Sequence, residues 1–473
     1  MGSTFSPDEV PRLIALEQIA PKGYLRYIFL FPLPDQYDLN EVADVVKAGY
    51  SSLKQRIPFV GCEAIPDADS KQPGFIKLQR TPEGSVKDIV VRDLRSSPES
   101  FQPTYSELKS SGFPVAAFDS ETLCRRSSPW PSPGEQLPIS LVQANFIHGG
   151  LILTWCVLHI AGDGTSFHTW MKVWAEGCRL AQGLESSSSP VDLAPELWLH
   201  RQSATKSSGR STGLLAHHPE YTLLPFTPTG APPKMTSPHH RSQVFYFSPA
   251  ALAALKADAS PVHATEPTDQ SWISTNDALS ALLWRTVMAV QSPLHMLDDG
   301  SDPVSVFNIA IDGRLRTDPP VHPETLGCFL ESVAVEASIR DMLGTLTVAD
   351  LAVRIRKALL RADSHFTDDV VALVEKLEVD VNRLILTAFL DVPGFNCAQT
   401  SWANFDMYGL DWGPMLGGRV ESVRTPSEGV INGLQVVLPV LPDGGMEVLV
   451  GVEEGCLDRL LHDPLWLKYA VPR

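Results

Sequence analysis

The run Leu151-Ile152-Leu153-Thr154-Trp155-Cys156-Val157-Leu158-His159-Ile160-Ala161-Gly162-Asp163-Gly164 changes character at His159. Leu151 to Leu158 is almost continuously apolar, as a strand covered on both faces would be. A short loop with small residues, Ala161, Gly162 and Gly164, follows. Then Phe167, Trp170, Trp174 and Cys178 recur at helical spacing and predict a helix with one apolar face. His159 is thereby placed on a strand-to-helix loop whose ends a rigid scaffold fixes, a common setting for chemistry.

The pattern continues outward. Upstream, Leu137, Ile139 and Leu141 alternate as a strand does, and His148-Gly149-Gly150 supplies a turn in which glycine can take positive φ. Nearer the start, Tyr24 to Phe31 reads as a strand ending at Pro32-Leu33-Pro34. A helix carrying Val42, Val45, Val46 and Leu53 comes next, with Asn40 as its expected N-cap. Ile57-Pro58-Phe59-Val60-Gly61 closes that unit.

From about Gly183 to Arg241 the hydrophobic period fades into Ser186-Ser187-Ser188-Ser189-Pro190, Ser207-Ser208-Gly209 and a proline-rich stretch through Pro232-Pro233. This composition predicts a long crossover. Beyond it, Gln243 to Phe247 reads as a strand. Ser274-Thr275-Asn276-Asp277 opens a helix with Leu279, Leu282, Leu283 and Val287. Val304 to Ile311 is a further strand that runs into Asp312-Gly313-Arg314. Val430 to Leu441 and Met446 to Val452 flank Asp443-Gly444-Gly445 as a hairpin. The expected organisation is an N-terminal lobe over 1–182, a crossover over 183–241 and a C-terminal lobe over 242–473. The class is α/β, in the mixed α+β sense, without internal repeats.

A chain of 473 residues suits two lobes, and 44% hydrophobic residues suffice for a core in each. The net charge of -17, from 38 Lys+Arg against 55 Asp+Glu, speaks against nucleic acid and against docking on anionic membranes. Seven scattered cysteines without a Cys-x-x-Cys pattern fit a reducing compartment. No signal peptide is evident in the first ten residues, and no apolar run approaches the ~18 residues of a membrane span. Gly2 and Ser6 have the spacing of a myristoylation signal in otherwise ordinary surroundings. A soluble, cytoplasmic monomer is expected.

His159 and Asp163 alone make a weak pattern, and a satisfied histidine near a loop aspartate is the bland reading. A zinc site would need further His or Cys ligands, and none stand at ligand spacing, so no metal is expected. Gly209-Arg210-Ser211-Thr212-Gly213 spells the Gly-x-Ser-x-Gly of serine hydrolases, but no strand precedes it. Neither a phosphate-binding loop nor a Gly-x-Gly-x-x-Gly fingerprint is present.

Taken as an ordered set, the landmarks resemble the BAHD acyltransferase family, and in particular its fungal trichothecene 3-O-acetyltransferase-like branch. His159 to Asp163, followed by Gly164, matches the family's His-x-x-x-Asp motif. Asp411-Trp412-Gly413-Pro414-Met415 matches the Asp-Phe-Gly-Trp-Gly motif in part, with Met415 in place of the second glycine. Ile311-Asp312-Gly313-Arg314-Leu315-Arg316, with Pro319-Pro320 after it, resembles the segment between the two motifs. Ala281-Leu282-Leu283-Trp284-Arg285, Phe31-Pro32-Leu33-Pro34 and Ile57 to Gly61 also fit.

The resemblance implies two chloramphenicol-acetyltransferase-like lobes with a channel between them. It implies transfer of an acyl group, acetyl by the fungal likeness, from coenzyme A to a hydroxyl or amine of a small secondary metabolite. No permanently bound cofactor is implied. His159 would be the general base, since a neutral imidazole can take the proton of an alcohol as its oxygen attacks the thioester. Asp163 would turn away from substrate and pair with Arg314, aiming His159. Asp411 is sometimes counted catalytic in the family; physically its turn also reads as a hinge supporting the coenzyme side. Gly164, Trp412 and Gly413 would support the site, with Trp412 and backbone amides near Gly164 or Gly413 as candidate donors to the oxyanion. Ser274, Arg285 and Arg316 are the candidates for holding the acyl-CoA. A condensation-type domain of peptide synthesis would show a second His before the base, where Leu158 stands here. A cyclase on a polyketide or alkaloid intermediate is the other alternative.

Overall fold

Tyr24–Pro32 and Gly150–Leu158 pair antiparallel over their whole length, Tyr24 opposite Leu158 and Pro32 opposite Gly150, in a computed structural model of the chain. The structure describes residues 10–473 except 97–100, 186–190, 192, 195–197, 199–200, 202–204, 237–238, 299, 392–393 and 428–432. These two strands are the middle of a five-stranded sheet. Its order is Ser422–Arg424, Tyr24–Pro32, Gly150–Leu158, Ser140–Ile147, Ile89–Asp93. Every residue of Gly150–Leu158 is buried, as its unbroken apolar run predicts.

The helices Leu39–Arg56 and Gly164–Ala181 pack against each other on this sheet. Between them and the strands lies a core that includes Tyr27, Trp155, Trp170 and Trp174. The buried indole of Trp155 donates to Ser140 Oγ at 2.7 Å, so its polar atom is satisfied. The first helix is capped by Asp38, whose carboxylate accepts from the amides of Asn40 and Glu41, and not by Asn40 as the sequence suggested. The Leu137-Ile139-Leu141 alternation divides in two. Leu137–Pro138 pairs with Cys62–Pro66 in a small sheet, and Ser140–Ile147 enters the large one.

A second sheet of seven strands runs Leu330–Ser338, Val304–Asp312, Cys397–Ser401, Leu434–Val437, Met446–Glu453, His240–Phe247, Val471–Pro472. The helix Thr275–Gln291 packs on it, with Trp284 stacked on Phe307 at 5.3 Å and its indole bonded to Ser305 Oγ. The C-terminal hairpin forms as expected from Leu434 onward, while Val430 lies outside the described residues.

The sheets do not follow a simple division of the chain. Ser422–Arg424 comes from the C-terminal part yet pairs with Tyr24–Pro32 in the first sheet. Arg424 and Glu447, both buried, bond across this crossing at 2.7 and 3.0 Å. The described parts of 183–241 are anchored rather than loose. Trp198 is buried against Phe59, Arg201 pairs with Glu17, and Tyr221–Leu223 forms a two-stranded ladder with Leu384–Leu386. Isolated anchors of this kind leave no periodic signature. All seven cysteines are free and buried. No described helix is long and apolar enough to cross a membrane.

Candidate active site

The strand Gly150–Leu158 runs out at His159, whose backbone amide donates to Gly23 O at 3.0 Å. A single turn, His159–Ala161, then swings the chain into Asp163, and the helix Gly164–Ala181 begins. His159 stands in the wall of a cavity of about 250 Å³ between the two sheets. Tyr24, Trp130, Gly164 and Thr165 line it from one side. Asn308 and Ser332, from the neighbouring strands Val304–Asp312 and Leu330–Ser338, line it from the other. Trp402, Phe405 and Phe389 add aromatic surface. Burial pushes the His159 imidazole below its ordinary pKa, and the charge of Asp163 opposes this only in part, so the ring is held neutral.

The carboxylate of Asp163 is fully engaged. It caps the helix by accepting from the Ser166 amide at 3.1 Å and also accepts from the Phe329 amide at 2.8 Å. Arg314 grips it with Nη1 2.7 Å from Oδ2 and Nη2 2.9 Å from Oδ1. Arg314 is wholly buried and donates further to Asp312, to Ser166 Oγ and to the carbonyls of Thr325 and Gly327. Burial works against its charge, and Asp163 and Asp312 more than restore it, so its pKa is raised. Such a bidentate fork fixes geometry as well as charge.

Gly164 leaves space that Phe405 occupies. A Cβ at Gly164 would lie 2.3 Å from the Phe405 ring. No larger residue fits there without displacing an aromatic wall of the cavity.

The Asp411-Trp412-Gly413 turn is elsewhere. It is clasped to the far end of the Gly164–Ala181 helix. Asp411 pairs with Arg179, and Gln182 bonds to Trp412 O at 2.8 Å and to the Met415 amide at 2.9 Å. From Gly164 to Arg179 is roughly 20 Å of helix at ~1.5 Å per residue. Asp411 is half exposed, caps the Gly413 amide, and does not line the cavity. These contacts are those of a hinge, the second reading that the sequence allows for Asp411, and they place it outside the wall that holds His159. The Trp412 ring is sunk in the core against Phe31 and Trp174 and does not line the cavity. The Gly413 amide is taken by Asp411.

The proposed co-substrate residues do not gather at His159 either. Ser274 caps the helix Thr275–Gln291, Arg285 donates to Leu343 O, and Arg316 bonds to the carbonyls of Ala362 and Asp312. None of the three lines the cavity. Ser211, in the Gly-x-Ser-x-Gly stretch, is buried 3.4 Å from His365 Nδ1 where this loop docks on the helix Ser364–Glu375, away from the cavity. Among the described residues no cluster could hold a metal ion.

Four residues around His159 were not visible in the sequence. Glu17 and Arg201 form a buried pair at 2.7 Å, and Glu17 also accepts from the Cys328 amide. Ser166 bonds to Gly327, and Cys328 Sγ lies 3.8 Å from His159 Nδ1. Only Ser166 carried a local signal, three residues after the capping Asp163.

Residues 24–178 match the trichothecene 3-O-acetyltransferase-like N-terminal domain, and residues 127–462 match the Transferase family. The chain is 28% identical over 459 residues to the trichothecene 3-O-acetyltransferase TRI101 of Fusarium sporotrichioides, covering 94% of this chain and 93% of that one. It is 26% identical to the enoyl-CoA isomerase/hydratase claC of Penicillium crustosum, covering 96% of this chain and 50% of that one, so it spans half the length of that relative. The fold superposes on the crystal structure of F. graminearum TRI101 complexed with coenzyme A and deoxynivalenol with a TM-score of 0.82, at 25% identity over 98% of this chain and 99% of the other. The mixed α/β, chloramphenicol-acetyltransferase-like architecture is shared throughout. The chain therefore belongs to the Transferase family, with a trichothecene 3-O-acetyltransferase-like N-terminal domain.

Proposed function

We propose that this chain transfers an acyl group, acetyl in the favoured case, from coenzyme A to a hydroxyl of a small secondary metabolite, with His159 as general base. The observation that carries this reading is His159 in the wall of an inter-sheet cavity while the carboxylate of Asp163 is turned into Arg314. An aspartate so engaged cannot relay protons; it sets the loop.

The neutral imidazole takes the acceptor's hydroxyl proton as the oxygen attacks the thioester carbonyl. The imidazolium then returns that proton to the departing thiolate, and no acyl group is attached to the protein. General base catalysis contributes ~10²–10⁴-fold. The mostly apolar walls suit an acceptor with few polar groups beside the reacting one. In this reading the chain works as a cytoplasmic monomer, with a lobe over 1–182 and a lobe over 242–473 joined by 183–241, and the strand Ser422–Arg424 crosses from the second into the sheet of the first.

The test is release of free CoA thiol from acetyl-CoA with a panel of hydroxylated metabolites, comparing the wild type with His159→Ala. Release that depends on both acceptor and His159 supports the assignment. Equal release by both proteins overturns it.

A further inference from the structure

Nδ1 of His159 faces Cys328 Sγ at 3.8 Å. Cys328 is fully buried and takes no part in the cavity wall, which leaves Nε2 as the ring nitrogen toward the cavity. A base at Nε2 requires the proton to reside on Nδ1; the opposite tautomer presents an N–H to the alcohol and cannot accept its proton.

The segment carrying Cys328 is held unusually firmly. Three successive amides each donate to a buried side chain: Gly327 to Ser166 Oγ at 2.9 Å, Cys328 to Glu17 at 3.0 Å, Phe329 to Asp163 at 2.8 Å. Gly327 adopts φ of +134°, and a Cβ there would lie 2.6 Å from Glu17 Oε1, so both conformation and space call for glycine. Arg201 fixes Glu17 and also donates to Leu326 O at 2.8 Å. The sulfur position is thus set by the short N-terminal helix Ala15–Ile19, by Arg201 of the crossover and by the same Asp163 that orients the His159 loop.

We propose that Cys328 is a positioning residue for the transfer reaction: its sulfur accepts a hydrogen bond from Nδ1–H of His159 and so keeps the Nε2 lone pair available for the acceptor. The inference rests on His159 as the base. Burial, reinforced by the nearby negative charge of Asp163, raises the thiol pKa well above its usual value, so Cys328 stays a neutral thiol and is no rival nucleophile. A thiol sulfur is a weak acceptor, and an imidazole N–H is a better donor than S–H.

The test uses Cys328→Ala and Cys328→Ser in the full chain, with kcat, KM for acetyl-CoA and the ¹⁵N spectrum of His159 at neutral pH. The account predicts that Cys328→Ala lowers kcat about tenfold at unchanged KM and shifts His159 away from the Nδ1–H tautomer. Cys328→Ser, which restores an acceptor, recovers most of the rate and the tautomer. Cys328→Ala with kcat within twofold of wild type and an unchanged tautomer overturns the proposal. So does an equal loss in both variants that tracks lowered melting, which is plain packing. Undiminished thiol release by His159→Ala is a separate outcome, and it removes the base reading itself.

Discussion

Arg314, in the turn that follows the second-sheet strand Val304–Asp312, binds both oxygens of Asp163 at 2.7 and 2.9 Å with its own guanidinium wholly buried. One ion pair therefore ties the His159 loop to the opposite wall of the cavity. Aim of the base and one of the ties between the two sheets rest on the same bond.

Removing the carboxylate leaves a buried guanidinium. Breaking one partner of a buried pair costs ~3–5 kcal/mol. Asp312, still 2.9 Å from Arg314 Nη1 and half exposed, places Asp163→Ala toward the lower end. The expected outcome is a lower urea midpoint together with lost thiol release. Normal unfolding with lost turnover contradicts the locking role.

Gly164→Ala drives a methyl group into the Phe405 ring, which lines the cavity. We expect a fall in kcat/KM on the order of tenfold, because small displacements at a reacting site are costly. The double variant Gly164→Ala with Phe405→Ala should recover part of it. Failure of that second change to restore any activity rules out the steric explanation.

Asp411→Asn separates a hinge from a catalyst. Its ion pair with Arg179 is half exposed, and exposed pairs contribute ~0–1 kcal/mol. Turnover within about threefold of wild type and a slightly lower Tm are expected. A loss of about a hundredfold or more at unchanged Tm restores Asp411 to the chemistry.

The pH profile follows from the sign of the His159 shift. Neutral imidazole is the active form, and burial lowers its pKa below the ordinary value of 6.5. The acid limb of kcat/KM should therefore fall below pH 6.5, with the rate fully developed at neutrality. An acid limb centred above 6.5 contradicts this.

Much of this was legible because it is local. The buried run Leu151–Leu158, the small residues after His159 and the helical spacing of Phe167, Trp170 and Trp174 are all within one stretch of chain, and the structure forms them so. Arg314, 151 residues from Asp163, was reached only through the order of family landmarks. Glu17 and Arg201, 184 residues apart, are lone charges with no pattern around them; only tertiary packing brings them behind His159. Asp411 and Trp412 show the converse. A motif gives their order in the chain, while the length of the Gly164–Ala181 helix decides how far they sit from the base. Asp38 displaced Asn40 as a cap because either side chain suits that role and the turn selects between them.

The most direct measurement is acceptor-dependent release of CoA thiol by wild type and His159→Ala, with both confirmed folded by their urea midpoints. The account predicts that His159→Ala keeps its unfolding free energy within about 1 kcal/mol of wild type and loses ~10²–10⁴-fold in kcat. A folded His159→Ala that releases thiol at the wild-type rate contradicts it.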